Sequence, residues 1–102
     1  MRVDEVFEIK NNEFLRQFEA EIEGELITLE YSEQPRQIFL TKLSVNEEMK
    51  LRGDDQVFLR SLFDKFTEEN QTRIMPTCPE VREFFKAHKR EYRGLLPTGI
   101  NL

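Results

Sequence analysis

The chain predicts an α+β (α/β) fold, a mixed, mostly antiparallel sheet of about five strands with two helices. Apolar and polar residues alternate in Phe18-Glu19-Ala20-Glu21-Ile22 and again in Ile27-Thr28-Leu29-Glu30-Tyr31, which is the period of a strand with one buried face. The period then lengthens, with Phe58, Leu59, Leu62, Phe63 and Phe66 forming one helical stripe. A short apolar run, Arg73-Ile74-Met75, separates that helix from a second one. Strands first and then helix–strand–helix describe one layered domain over residues 1–102. The helical crossover makes the fourth and fifth strands parallel, right-handed neighbours.

The elements follow in order. Residues 3–10 hold a short first strand, and Asn11-Asn12 supplies a turn. The second strand spans residues 14–22, with Phe14, Phe18, Ala20 and Ile22 on one face. Glu23-Gly24 is a hairpin turn of the acidic-glycine kind, and residues 25–31 return. Residues 32–36 form a loop in which Pro35 stops the ladder. The fourth strand runs from Gln37 to about Val45. A helix begins near Gln56, with Arg60, Asp64, Lys65 and Glu68 on its polar side. The fifth strand ends at Pro76, and Pro79 starts the second helix, because proline suits the first helical position. Val81, Phe84, Phe85 and His88 make its apolar face, and residues 92–102 read as irregular.

Composition limits the partners. The 102 residues suit one core, 38% hydrophobic and 34% charged content is that of an ordinary soluble domain, and nine phenylalanines without tryptophan dominate that core. A formal net charge of −5 argues against a nucleic-acid partner, which needs a basic face. The acidic surface is otherwise a solvated one. No apolar run approaches the ~18–20 residues that span a bilayer, and the charged start Met1-Arg2-Val3-Asp4-Glu5 does not read as a signal peptide. The single cysteine, Cys78, excludes an internal disulfide framework and a cysteine-rich zinc site. A cytoplasmic protein that holds no metal and does not enter a membrane is expected.

The stretch richest in chemistry runs from Ile38 to Phe66, read as strand, polar loop with one glycine, and helix. A loop ending at a helix N-terminus presents free N–H groups to an anion. Lys50 and Arg52 flank Gly53 and favour phosphate, whereas Asp54 and Asp55 oppose it. The two aspartates also suit the first turn of a helix, where carboxylates are favoured whether or not anything binds. Cys78 falls at the N-cap before Pro79, a position whose N–H groups can activate a thiol. It is a candidate catalytic group, as acid, transient nucleophile or thioester contact, or else a small packed hydrophobe. His88, the only histidine, reads as a partly buried helix-end residue. Lys86, Lys89, Arg90 and Arg93 form a local basic group, either a helix-end charge effect or a contact for a nucleotide. Nothing resembles a Ser-His-Asp set, a metal-ligand cluster or a P-loop.

Three segments in this order resemble the small YjdJ-type branch of the GNAT superfamily of acetyltransferases: Phe18 to Leu26 with Leu29-Glu30-Tyr31; Val45 to Gly53 leading into Phe58-Leu59-Arg60-Ser61-Leu62; and Ile74 to Val81 with Phe84, Phe85 and Tyr92. The resemblance covers about residues 14–96. It implies a sheet whose fourth and fifth strands splay apart to admit the pantetheine arm of acetyl-CoA, with an unidentified amine as acceptor. It also places a cysteine at the end of the fifth strand, at Cys78. The backbone of Leu43, Ser44 and Val45 would hold the thioester arm. The loop Lys50-Leu51-Arg52-Gly53-Asp54-Asp55 would hold the pyrophosphate. Against the family pattern Arg/Gln-x-x-Gly-x-Gly/Ala, Lys50 takes the first place, Gly53 the glycine, and Asp55 the last small residue. Lys42-Leu43 stand where that branch usually has His-Thr. The resemblance is compatible with an N-acetyltransferase or with a degenerate, non-catalytic interaction or CoA-binding module of the same fold.

Overall fold

The computed structural model describes residues 8–69 and 71–100. Five strands form one sheet in sequential order: β1 (Lys10–Asn12), β2 (Gln17–Ile22), β3 (Glu25–Gln34), β4 (Gln37–Ser44) and β5 (Arg73–Pro76). The first four are antiparallel neighbours, and β5 lies parallel to β4. Between β4 and β5 come α1 (Glu47–Arg52) and α2 (Asp54–Glu69); α3 (Pro79–Ala87), α4 (Lys89–Tyr92) and a 3-10 turn (Arg93–Leu95) follow β5. The mixed α+β sheet is therefore as expected, with two short helices, α1 and α4, added to the two long ones.

The expected strand over residues 3–10 lies mostly outside the described residues. Where Asn11-Asn12 predicted a turn, the chain is extended, because the asparagine side chains are used to hold the strand. Asn11 Oδ1 accepts from the Tyr31 hydroxyl at 2.6 Å, and Asn12 Nδ2 donates to Glu19 at 3.0 Å. Asn12 Oδ1 accepts from Leu15 N at 3.0 Å, so the turn occupies residues 13–16 instead. Phe14, expected on the buried face, sits in that turn and is 94% exposed.

Glu23 and Gly24 both have positive φ, 52° and 81°, the two-residue hairpin geometry whose twist matches the flanking strands. The next turn is also only two residues long. Arg36, at φ 64°, follows Pro35, so Ser32–Gln34 extend β3 rather than forming a loop.

One face of the sheet is covered. The buried strand residues are Phe18, Ala20, Ile22, Ile27, Leu29, Tyr31, Ile38, Leu40, Leu43, Ile74 and Pro76. The helices supply Phe58, Leu59, Leu62, Phe63 and Phe66 from α2 and Val81, Phe84 and Phe85 from α3. Phe66 meets Phe18 edge-on at 5.7 Å, and Phe63 meets Phe84 at 5.3 Å, separations at which aromatic pairs attract.

The spacing 38, 40, 43 breaks the strand period, and a bulge absorbs the difference. Glu30 pairs with Lys42 and Tyr31 with Leu40, leaving Thr41 as the extra residue. Without it Lys42 would point into the core, since a one-residue slip inverts every later side chain.

Helix α1 is anchored by one buried residue, Met49. We expect Met49→Ala to cost about 2–5 kcal/mol of stability and Leu51→Ala, at an 85% exposed position, to stay within about 0.5 kcal/mol. Denaturant titration of both variants measures the contrast.

Candidate functional site

β4 and β5 pair only from Gln37↔Arg73 to Leu40↔Pro76. At that point the Leu40 carbonyl accepts from Thr77 N at 3.2 Å, Cys78 N at 3.0 Å and Thr77 Oγ1 at 2.9 Å. The chain then turns away into α3, while β4 runs on through Thr41, Lys42, Leu43 and Ser44 beyond the last β5 partner. The bulge bends β4 at the place where the pairing ends. The result is a fork between the two strands, with Leu43, Ser44 and Val45 on one arm and Cys78 at the base. Leu43 is buried in the core, and Val45 packs against it.

The stretch after β4 is more ordered than a polar loop. Asn46 caps α1 by accepting from Met49 N at 2.8 Å, and its amide donates to Glu25. This ties the helix to the β2–β3 hairpin. Gly53 ends α1 in the left-handed region, φ 82°, where a Cβ would be strained. Its N–H donates to Lys50 O at 3.1 Å, while its carbonyl accepts from Gln56 N and Val57 N. One residue thus closes α1 and opens α2. Asp54 and Asp55 fall in the first turn of α2, where the helix dipole favours them.

Arg52 does not stand free. Its Nη2 lies 2.9 Å from Asp54 Oδ2 and its Nε donates to the same oxygen at 3.1 Å. A second, exposed carboxylate, Glu48, lies at 3.8 Å. Asp54 raises the already high pKa of this guanidinium. The Arg52 charge is therefore balanced within the corner itself.

Lys50 and Asp55 line a groove of about 590 Å³ together with Gln56 and the α3 residues Pro79, Glu80, Glu83, Phe84 and Ala87. Of the residues named from sequence, the structure brings these two to the groove. Leu51 projects from α1 into solvent. Sequence reasoning missed Glu80 and Glu83, whose helical spacing from Pro79 could have placed them on one face of α3. The lining carries one cation against three carboxylates, which fits a pyrophosphate poorly. The strand arm of the fork, by contrast, leaves main chain unpaired to β5 and suits an extended arm.

Cys78 is the N-cap of α3 and is 2% exposed. Its Sγ donates to Glu80 Oε1 at 3.0 Å. That hydrogen bond, then Glu80's own backbone N–H, holds the Glu80 carboxyl below its usual range. The thiol proton thus has an acceptor that lines the groove.

A second polar cluster joins α2 to α4. Arg60 Nη1 lies 2.9 Å from Glu91 Oε2, and Nη2 lies 3.0 Å from His88 Nδ1. Because a guanidinium only donates, Nδ1 accepts in this contact and the ring proton is assigned to Nε2. Tyr92 donates to Asp64 at 2.6 Å; burial, then this bond, pushes its pKa up. Arg60 and Asp64 looked like solvated residues because their partners lie some 30 positions away. Among the described residues, no group of three or more His, Cys, Asp or Glu could hold a metal ion, and no helix is long and apolar enough to cross a membrane.

The hydrogen bond from Arg60 holds the Glu91 carboxyl below its usual range. A depressed carboxyl stabilises the fold above its unfolded pKa and loses that contribution as pH falls through the folded value. We therefore expect the melting-temperature gap between wild type and Glu91→Gln to shrink as pH falls below about 4.5. Thermal melts on both sides of that pH measure it.

No curated protein matches the sequence. A family model described as GCN5-related N-acetyl-transferase matches residues 17–95, a span that contains β2 to α4, the fork and the groove. The chain belongs to the GCN5-related N-acetyltransferase family.

Proposed function

We propose that this chain is an acetyl-CoA-binding domain of the small YjdJ type that transfers acetyl to an amine. The observation that carries the reading is the family match over residues 17–95, which spans both the strand fork and the groove beside α3. In this reading the main chain of Leu43, Ser44 and Val45 holds the pantetheine arm along the open edge of β4. A neutral amine attacks the thioester carbonyl carbon, the carbon–sulfur bond breaks, and coenzyme A leaves as the thiol, taking up the equivalent of the proton that the amine gives up. Lys50 and the main-chain N–H groups of Asp54 and Asp55 face the pyrophosphate, with Gly53 shaping the turn and Leu51 and Arg52 contributing only through the backbone and the Asp54 pair.

The acidic lining makes that grip weak. A carboxylate at ~4 Å from a phosphate charge costs on the order of 4 kcal/mol at an effective dielectric of ~20, before solvent screening reduces it. Affinity then rests on the strand edge more than on the loop. Asp55, Glu80 and Glu83 also favour a second reading, a non-catalytic module that keeps the fold without a working co-substrate site.

Calorimetric titration with acetyl-CoA at low salt separates the two: heat at millimolar ligand is expected, and its absence sinks the enzyme reading. Asp55→Gly is expected to tighten binding by a factor on the order of 3–10; unchanged or weaker affinity would remove the carboxylate as the cause. For Cys78, mass spectrometry after acetyl-CoA exposure distinguishes roles. An acetyl adduct lost in Cys78→Ala marks a nucleophile, whereas no adduct leaves the thiol as the Glu80 donor.

A further inference from the structure

The basic group near the end of the chain is not uniform. Lys86 lies 3.9 Å from Glu83, a neighbour on its own helix. Lys89, Arg90 and Arg93 instead wall one groove of about 550 Å³, completed by Gly94, Leu96 and Ile100. None of the six lining residues is acidic, in a chain whose formal net charge is −5. Among the described residues, these three cations enter no ion pair, whereas Arg52, Arg60 and Lys86 each lie within 4.0 Å of a carboxylate. Like charges brought together repel, and Lys89 and Arg93 are four positions apart, the spacing at which such repulsion is felt on a helix.

The frame that holds them is fixed. Glu91 of α4 is held by Arg60, and Tyr92 by Asp64, both from α2. The cations are therefore carried on a positioned element, α4 and the 3-10 turn that follows it. Two guanidiniums offer planar forks that match phosphate oxygens. Leu96 and Ile100 add an apolar wall, and the volume is that of a small-ligand site.

We propose that this groove binds an organic phosphate, its phosphate on Lys89, Arg90 and Arg93 and its carbon body against Leu96 and Ile100. The site shares no lining residue with the groove at Lys50 and Asp55, so it stands or falls independently of acetyl-CoA binding.

The test is an amide-resolved NMR titration of the full chain at low salt with AMP, inorganic phosphate and adenosine as probes. AMP is expected to move the Arg93, Gly94 and Ile100 amides, inorganic phosphate to move the same amides at several-fold higher concentration, and adenosine to leave them unmoved. Arg90→Glu combined with Arg93→Glu is expected to weaken AMP by at least ~10-fold, with unrelated amides unchanged. Lys86→Glu, outside the groove, is expected to retain binding. No movement at ~10 mM AMP, where even a Kd of ~10 mM would register, overturns the proposal, as does equal affinity in the double variant. Pelleting with phosphatidylglycerol vesicles without any AMP response would assign the cations to a lipid surface and also overturn it.

Discussion

The Leu40 carbonyl accepts hydrogen bonds from Thr77 N, Cys78 N and Thr77 Oγ1, and this one oxygen decides where β5 leaves β4. Upstream of it the two strands are paired. Downstream, β4 continues alone while the other chain enters α3. The bulge at Thr41 falls beside the junction, so β4 bends where it loses its neighbour. Because Leu43 returns to the core on the far side of the bulge, the bend is held by packing. The groove, the Cys78 N-cap and the entry of α3 all take their positions from this point.

Electrostatics then divides the surface around that frame. At the α1–α2 corner the charges are largely internal to the protein: Arg52 is occupied by Asp54, and Lys50 looks across the groove at Glu80, whose carboxyl it helps to keep ionised. At the other end of α3 the charges are left open, with Lys89, Arg90 and Arg93 around a separate groove. The polar bridge of Arg60, His88, Glu91, Tyr92 and Asp64 connects α2 to α4 between them. The helical layer thus carries an acidic groove before α3 ends and a basic one after it. Family membership covers the stretch that contains the first of these grooves; its lining sets one lysine against three carboxylates.

Local sequence was a good guide where the cause of structure was local. Glu23-Gly24 make the hairpin because both sites adopt positive φ, and Pro79 opens α3 because its missing N–H has no helical partner there to lose. The helical stripe of Phe58, Leu59, Leu62, Phe63 and Phe66 is buried as its period required. Asn11 and Asn12 misled because their side chains, which commonly form turns, here bond across strands to Tyr31 and Glu19. The run from Asn46 to Asp55 read as a loop because its helix has a single core residue, Met49, and no apolar stripe.

By itself the sequence determined the alternation of strands and helices, the parallel return of β5 and the acidic first turn of α2. Those follow from short-range sterics, hydrophobic period and charge order. Only the tertiary structure decided that Glu80 and Glu83 face Lys50 across a groove and that Arg60 meets residues of α4. Such pairings depend on which helix faces which, and the packing of phenylalanines from both helices against one face of the sheet sets that.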